Sequence, residues 1–225
     1  MKSVEVRRPN DGGLEVRLSE DEISYLWERI KKKGISYKKV LAGNIHSSFE
    51  LEDENDWFHD NVLLKLYQKY ASEFRNIGGN LGLKGRHPYY LSNMWVNYQR
   101  EHEFNPIHNH SGIYSFVVWM KIPTDWKKQF QVPFLKGVKE RDKKASLFEF
   151  IIPRSDNAGM ISPVYQLDSS YEGVLLFFPA SMYHQVYPFY DCKEERISIS
   201  GNIGLDTTKT LDLDPNSFYM RGEII

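Results

Sequence analysis

The sequence lacks the features that mark several large classes of protein. Its 225 residues include a single cysteine, Cys192, which excludes an internal disulfide framework and a cysteine-based zinc site. The longest apolar runs, such as residues 174–178, are too short to span a bilayer, and the first residues contain no apolar signal core. We therefore expect no membrane partner and a cytoplasmic location, which would be the host-cell cytoplasm for a phage-encoded chain.

A charge bias is also missing. The formal net charge is −1, so no basic excess indicates a nucleic-acid partner. Hydrophobic residues make up 41% of the chain and aromatic residues 14%, which is enough for one sizeable core. We expect a single domain over residues 1–225, while composition leaves the oligomeric state open.

Helical patterns occur in the first part of the chain. Ser19 followed by Glu22 forms a capping box, and apolar residues then recur at helical spacing up to Gly34. A second amphipathic stretch begins near Asn55 and stops at Gly78. With an opening strand before Ser19, residues 1–88 are predicted to form an N-terminal strand and two helices.

The pattern changes to alternation with a period of two after Pro88. Such alternation is typical of strands with one buried face, and it recurs in short segments separated by turn residues. The sequence therefore predicts a mainly β fold with packed helices (α+β), a double-stranded β-helix or jelly roll with the N-terminal helices on one face. Its expected parts are a core at 89–205, a polar insertion at 124–160 and a tail at 206–225.

Three histidines form a candidate metal site. His108 and His110 lie two residues apart, and side chains at i and i+2 of a strand point to the same face. His184 is the only later histidine in the sequence, and the preceding turn at residues 179–181 could present it at the mouth of a barrel. Three imidazole ligands suit iron and leave coordination positions open for other groups.

Arg196 follows His184 by twelve residues, inside a strand-like segment where polar and apolar residues alternate. A buried cation beside a metal site is what a dicarboxylate co-substrate needs, because guanidinium and carboxylate form charge-assisted pairs. The alternative is a structural ion pair between Arg196 and the neighbouring Glu194 or Glu195.

This order of residues resembles the 2-oxoglutarate and Fe(II)-dependent oxygenase superfamily, in particular its bacterial and phage-type branch related to prolyl hydroxylases. The resemblance covers roughly residues 90–203. The superfamily signature is His-x-Asp/Glu, a distant His and an Arg that binds 2-oxoglutarate, which His108, His184 and Arg196 match. His110 stands in the place of the acid. If it is not a ligand, a water or a more distant acid would complete the site.

The resemblance implies further cofactor contacts and an activity. Ser198, from an Arg-x-Ser pattern, and Tyr98, ten residues before His108, would hydrogen-bond 2-oxoglutarate. The expected enzyme is a dioxygenase that uses Fe(II) and 2-oxoglutarate, with ascorbate as a candidate accessory reductant. It would hydroxylate a C–H bond, with a prolyl group in a peptide as the first substrate candidate and small molecules still open, and it would release succinate and CO2.

Two other interpretations stay open at the level of sequence. One is a non-catalytic jelly-roll module with a structural or interaction role. The other is a cupin-type metalloenzyme that does not use 2-oxoglutarate. The cupin pattern usually adds a glutamate a few residues after His-x-His, and residues 112–115 supply none.

Overall fold

A computed structural model of the chain describes residues 3–5, 12–74, 81, 83, 85–153 and 159–211. The strands, in chain order, are β1 (Ser3–Glu5), β2 (Leu14–Arg17), β3 (Ser47–Leu51), β4 (Tyr89–Gln99), β5 (Asn105–His108), β6 (Tyr114–Lys121), β7 (Leu147–Pro153), β8 (Met160–Ile161), β9 (Val164–Gln166), β10 (Val174–Pro179), β11 (Tyr183–Val186) and β12 (Arg196–Leu205). The α-helices are α1 (Glu20–Lys31), α2 (Leu64–Glu73) and the short α3 (Trp126–Gln129).

The strands form two antiparallel sheets. The larger sheet has the order β1-β2-β10-β6-β12-β4-β3, and the smaller has the order β5-β11-β7-β8, with β9 also pairing with β7. The N-terminal strands β1, β2 and β3 thus extend both edges of the larger sheet instead of forming a separate layer. The predicted mainly β architecture with packed helices is confirmed.

The larger sheet is covered on both faces. Because neighbouring residues of a strand point to opposite faces, Phe116 and Val118 of β6 pack with the helices, whereas Val117 and Trp119 face the smaller sheet. Helix α1 begins as predicted, with Ser19 as N-cap and a complete capping box with Glu22. Both α1 and α2 pack on one side of the sheet, which leaves its other side for a cavity between the sheets.

The second helix begins later than its sequence pattern predicts. A 3-10 turn occupies Glu54–Asp56, where Asn55 and Asp56 adopt positive φ, and a π-helical turn at His59–Leu63 leads into α2. The carboxylate of Asp53 accepts the N–H groups of Phe58 and His59, so the helix is anchored there. The predicted stop at Gly78 lies outside the described residues.

The predicted insertion at 124–160 is too wide. Strand β7 lies within those bounds, and it pairs with β11 in the interior of the smaller sheet. The preceding segment contains α3 and two 3-10 turns. Its residues Phe130, Val132, Leu135 and Ala145 form a small buried cluster with Leu147 of β7. Within the described ranges, no helix combines the length and apolarity needed to cross a bilayer.

Candidate active site

The smaller sheet brings the three predicted histidines together. His108 ends the edge strand β5 and lies opposite His184 of β11. His110 follows two residues later, where its N–H donates to the carbonyl of Ala180 at 2.8 Å. The chain turns next at Gly112, which has φ of 97°, and a Cβ there would lie 2.5 Å from the carbonyl oxygen of Ile203. One nitrogen from each histidine lies within 4.8 Å of the others.

Each histidine donates its Nδ1 proton to an oxygen. His108 donates to the Pro106 carbonyl at 2.7 Å, and His184 donates to the Met182 carbonyl at 3.1 Å. His110 donates to Oδ1 of Asn202 at 2.7 Å. Carbonyl oxygens only accept, so the proton resides on Nδ1 and the Nε2 lone pair is left for a metal ion.

Burial keeps these imidazoles neutral. It lowers the pKa of His110 to about 4, despite the opposing hydrogen bond with Asn202. It also lowers the pKa values of His108 and His184, and the neighbouring histidines lower that of His184 further. A metal ligand must be deprotonated, so the site is prepared for a cation at neutral pH. The donor set therefore fits Fe(II).

Aromatic side chains hold the histidines in place. Trp95 of β4 stacks on His110, with ring centroids 5.7 Å apart, and Phe148 of β7 stacks on His184 at 5.4 Å. Phe178 contacts His184 edge-on. These ring contacts restrict rotation of the imidazoles.

Arg196 is buried, and its hydrogen-bond partners among the described residues are neutral. Its side chain is 2% exposed, and its terminal nitrogens donate to Oε1 of Gln99 at 3.4 Å and to Oγ of Ser146 at 2.5 Å. The guanidinium lies 5.0 Å from the ring centre of Phe189, and its Nε has no hydrogen-bond partner in the described part of the chain. Burial lowers the pKa of Arg196 to about 9, so the group is still a cation at neutral pH.

The predicted alternative for Arg196, an ion pair with a neighbouring glutamate, is wrong. Glu194 pairs with Lys121 and Glu195 pairs with Arg100, both at the surface. Within the described residues, no carboxylate forms an ion pair with Arg196. The charge of the buried guanidinium is therefore not neutralised by either neighbouring glutamate.

One cavity of about 220 Å³ joins the two features. The histidines line it together with the β12 residues that face the smaller sheet, Arg196, Ser198, Ser200 and Asn202. Ser198 lines the same cavity as Arg196, and its predicted hydrogen bond to 2-oxoglutarate stays a prediction. The N-terminal segment 40–45 borders the same cavity, and Val40 in this segment is 69% exposed.

The structure does not bring Tyr98 to the site. Its side chain lies on the helix side of β4, where the hydroxyl is 3.4 Å from Nζ of Lys33 and the ring packs edge-on against Phe49. The neighbours Asn97 and Gln99 point into the cavity instead. A strand alternates its side chains, so Gln99, and not Tyr98, is the residue at this end of β4 that contacts Arg196.

Three contributors to the site were not assigned from the sequence. They are Gln99 and Ser146, which hold Arg196, and Asn202, which holds His110. Asn202 has a detectable signal, because it continues the alternation that begins at Arg196. The roles of all site residues in binding remain predictions.

A comparison with known protein families finds one match that spans the candidate site. Residues 93–202 match the sequence profile of a family described as "Putative 2OG-Fe(II) oxygenase", and this segment contains every residue predicted for the site. The resemblance to the 2-oxoglutarate oxygenases and the enzyme class predicted from the sequence are therefore confirmed. None of the curated protein sequences matches the chain significantly.

Several solved structures are similar to the chain at low sequence identity. The α-ketoglutarate-dependent carbocyclase SnoK from nogalamycin biosynthesis is 8% identical, with a TM-score of 0.50 over 87% of this chain and 79% of that one. A 2OG-Fe(II) oxygenase family oxidoreductase from Burkholderia pseudomallei is 12% identical, with a TM-score of 0.49 over 86% and 84%. A collagen prolyl hydroxylase from Paramecium bursaria Chlorella virus 1 is 12% identical, with a TM-score of 0.49 over 86% and 96%.

Proposed function

We propose that this protein hydroxylates a C–H bond, with His108, His110 and His184 holding Fe(II) and Arg196 holding the distal carboxylate of 2-oxoglutarate. The main support for the proposal is that one cavity contains both a set of candidate metal ligands and a buried cation. Three neutral imidazoles direct their Nε2 atoms towards one another, and the buried guanidinium of Arg196 forms no ion pair with a described carboxylate. When bound, iron and 2-oxoglutarate supply the activation of oxygen, the oxidation of the C–H bond, and succinate and CO2 as products.

The residues of the chain bind and orient these groups. Arg196 would form a charge-assisted pair with the distal carboxylate, and Ser198 adds a hydroxyl on the same face of β12. Oδ1 of Asn202 and the carbonyl oxygens of Pro106 and Met182 hold the Nδ1 protons, which keeps the Nε2 lone pairs on the metal side.

We propose a prolyl group in a peptide as the substrate to test first. The sequence resemblance to the branch related to prolyl hydroxylases supports this choice. The exposed border at Val40 also supports it, because a cavity with an open side can admit one residue of a longer chain. Small molecules form the second arm of the test.

The test follows the fate of 2-oxoglutarate. In air, the Fe(II)-loaded protein should convert 2-oxoglutarate to succinate, and N-oxalylglycine should compete with it. Arg196→Ala should abolish turnover at ordinary 2-oxoglutarate concentrations, and Arg196→Lys should restore part of it because the charge remains. A loaded protein that leaves 2-oxoglutarate unchanged would contradict the proposal and favour a non-catalytic module.

The substrate is identified by oxygen incorporation. Proline-containing peptides, matched peptides with alanine in place of proline, and a panel of small metabolites are incubated with the loaded protein and isotopically labelled oxygen. We expect labelled oxygen in the proline-containing peptide alone. Labelled product from the metabolite panel, with unmodified peptides, would reassign the substrate class.

A further inference from the structure

Ser146 contacts Arg196 from a strained backbone position. Its φ of 53° lies in the left-handed region, which residues other than glycine rarely adopt. Its N–H donates to the carbonyl of Pro188 at 2.8 Å, and its carbonyl accepts the N–H of Leu167 at 3.3 Å. The residue is completely buried just before β7. Contacts on both backbone groups therefore hold the strained conformation and fix the direction of the side chain.

The hydroxyl of Ser146 lies between Arg196 and Thr124. It accepts from a terminal nitrogen of Arg196 at 2.5 Å, and it is 2.8 Å from Oγ1 of Thr124, which is also buried. A serine hydroxyl has one proton and two lone pairs, so it can accept from Arg196 while it donates to Thr124. Both partners of the guanidinium, Ser146 and Gln99, are neutral.

A carboxylate at position 146 would have the opposite effect. It would pair with the guanidinium, cancel its charge and occupy the N–H groups that an anionic ligand needs. We infer that Ser146 is a positioning residue, which orients the guanidinium of Arg196 as a neutral acceptor and so keeps its charge free for the distal carboxylate of 2-oxoglutarate. This inference rests on the proposed function and names a further residue of the same site.

The first experiment compares Ser146→Ala with Ser146→Gly. Both variants lack the hydroxyl, but glycine also relieves the strained φ. In the Fe(II)-loaded protein without oxygen, the dissociation constant for 2-oxoglutarate should rise about ten- to a hundredfold in both, as expected for one lost hydrogen bond to a charged group. In air, KM for 2-oxoglutarate should rise in parallel, while kcat at saturation stays within about twofold.

Thermal unfolding separates positioning from a purely structural role. Ser146→Gly should melt at a temperature equal to or above that of Ser146→Ala, because the backbone is relaxed, although both bind 2-oxoglutarate weakly. A structural role would instead make affinity follow melting temperature, with the glycine variant closer to wild type. Ser170→Ala removes a surface hydroxyl that bonds to Asp168 and should leave the affinity unchanged.

A second pair of variants tests the requirement for neutrality. Asparagine and aspartate have nearly equal volumes and both tolerate the left-handed region. Ser146→Asp should therefore bind 2-oxoglutarate at least about tenfold more weakly than Ser146→Asn, because only the aspartate neutralises Arg196. Equal affinity in this pair would overturn the inference, as would wild-type affinity in both Ser146→Ala and Ser146→Gly.

The outcomes distinguish the inference from the function on which it rests. If the wild-type, Fe(II)-loaded protein binds 2-oxoglutarate and the position-146 variants bind it equally well, the inference alone fails. If the wild-type protein does not bind 2-oxoglutarate, the proposed function fails and the inference falls with it.

Discussion

The Nε2 atoms of His110 and His184 lie 3.2 Å apart. Both rings donate their Nδ1 protons elsewhere, so the two Nε2 lone pairs face each other across this gap. Two acceptors at this distance repel each other unless a cation or a proton lies nearby. Burial lowers the pKa of both imidazoles and so disfavours a proton. A metal ion between the two Nε2 atoms would remove this repulsion, as we propose for this site.

We predict that divalent cations stabilise the folded protein. Fe(II) without oxygen, or Mn(II) as a redox-stable substitute, should add about 2.7 kcal/mol to the free energy of unfolding at a hundred times its dissociation constant. Thermal unfolding with and without metal measures the effect. His184→Ala should show no such gain, whereas His87→Ala, which changes a histidine outside the cavity, should keep it. An equal gain in His184→Ala would place the metal elsewhere.

His110 is predicted to be a ligand even though it replaces the acid of the superfamily. His110→Ala should weaken Mn(II) binding at least about tenfold. His110→Asp should retain binding, because a carboxylate is also a good ligand for these ions. Calorimetric titration of each variant measures the affinity. Unchanged affinity in His110→Ala would show that two histidines and another group hold the ion.

Asn202 is predicted to act through His110. Asn202→Ala removes the acceptor for the Nδ1 proton, so the ring can rotate or change tautomer, and metal affinity should fall about ten- to a hundredfold. Ser115 also donates to Oδ1 of Asn202, so Ser115→Ala should cause a smaller loss in the same titration. A larger loss of metal affinity in Ser115→Ala than in Asn202→Ala would contradict the prediction that Asn202 is the residue that holds His110.

The strand β4 gives a matched pair of neighbours for 2-oxoglutarate binding. Tyr98→Phe removes a hydroxyl on the helix side of the sheet and should leave KM for 2-oxoglutarate unchanged. Gln99→Ala removes an acceptor of Arg196 and should raise KM several-fold, roughly the effect of one lost hydrogen bond. Steady-state turnover at varied 2-oxoglutarate measures both. A raised KM in Tyr98→Phe with an unchanged KM in Gln99→Ala would instead indicate that Tyr98 contacts 2-oxoglutarate.

The metal-free protein should lose stability as the pH falls from about 6.5 towards 4. Imidazoles in the unfolded chain titrate near the upper value, whereas burial lowers the pKa of His110 to about 4 in the folded state. Between these values the unfolded chain binds more protons, so protonation favours unfolding. Urea unfolding with a chelator at pH 7 and pH 5 should show a smaller loss for His110→Asn than for wild type. An identical loss of stability in both proteins would contradict the lowered pKa of His110.

Part of the site could be predicted from the sequence because its residues are spaced two apart along strands. The spacing of His108 and His110, and the alternation from Arg196 to Ser198, predicted side chains on one face, and the structure places all four in the cavity. The sequence did not show that Tyr98 lies outside the cavity. Residues 94–99 of β4 are covered on both faces, so hydrophobic alternation does not reveal which side faces the smaller sheet.

The remaining contributors depend on contacts that are remote in the sequence. Ser146 reaches Arg196 across fifty residues, from a positive φ fixed by Pro188 and Leu167. The start of α2 similarly depends on Asp53 and on two residues with positive φ, which periodicity does not register. Tertiary packing determines such features, whereas local pattern was enough to predict the mainly β fold and the capping box of α1.

The central claim is that one cavity holds both a metal ion and the carboxylates of 2-oxoglutarate. The most direct measurement is calorimetric titration of 2-oxoglutarate into the protein without oxygen, once with Fe(II) and once metal-free. We predict that Fe(II) strengthens 2-oxoglutarate binding, that 2-oxoglutarate strengthens Fe(II) binding by the same factor, and that His184→Ala removes this coupling. Equal 2-oxoglutarate affinity with and without Fe(II), or binding that survives Arg196→Ala unchanged, would contradict the account.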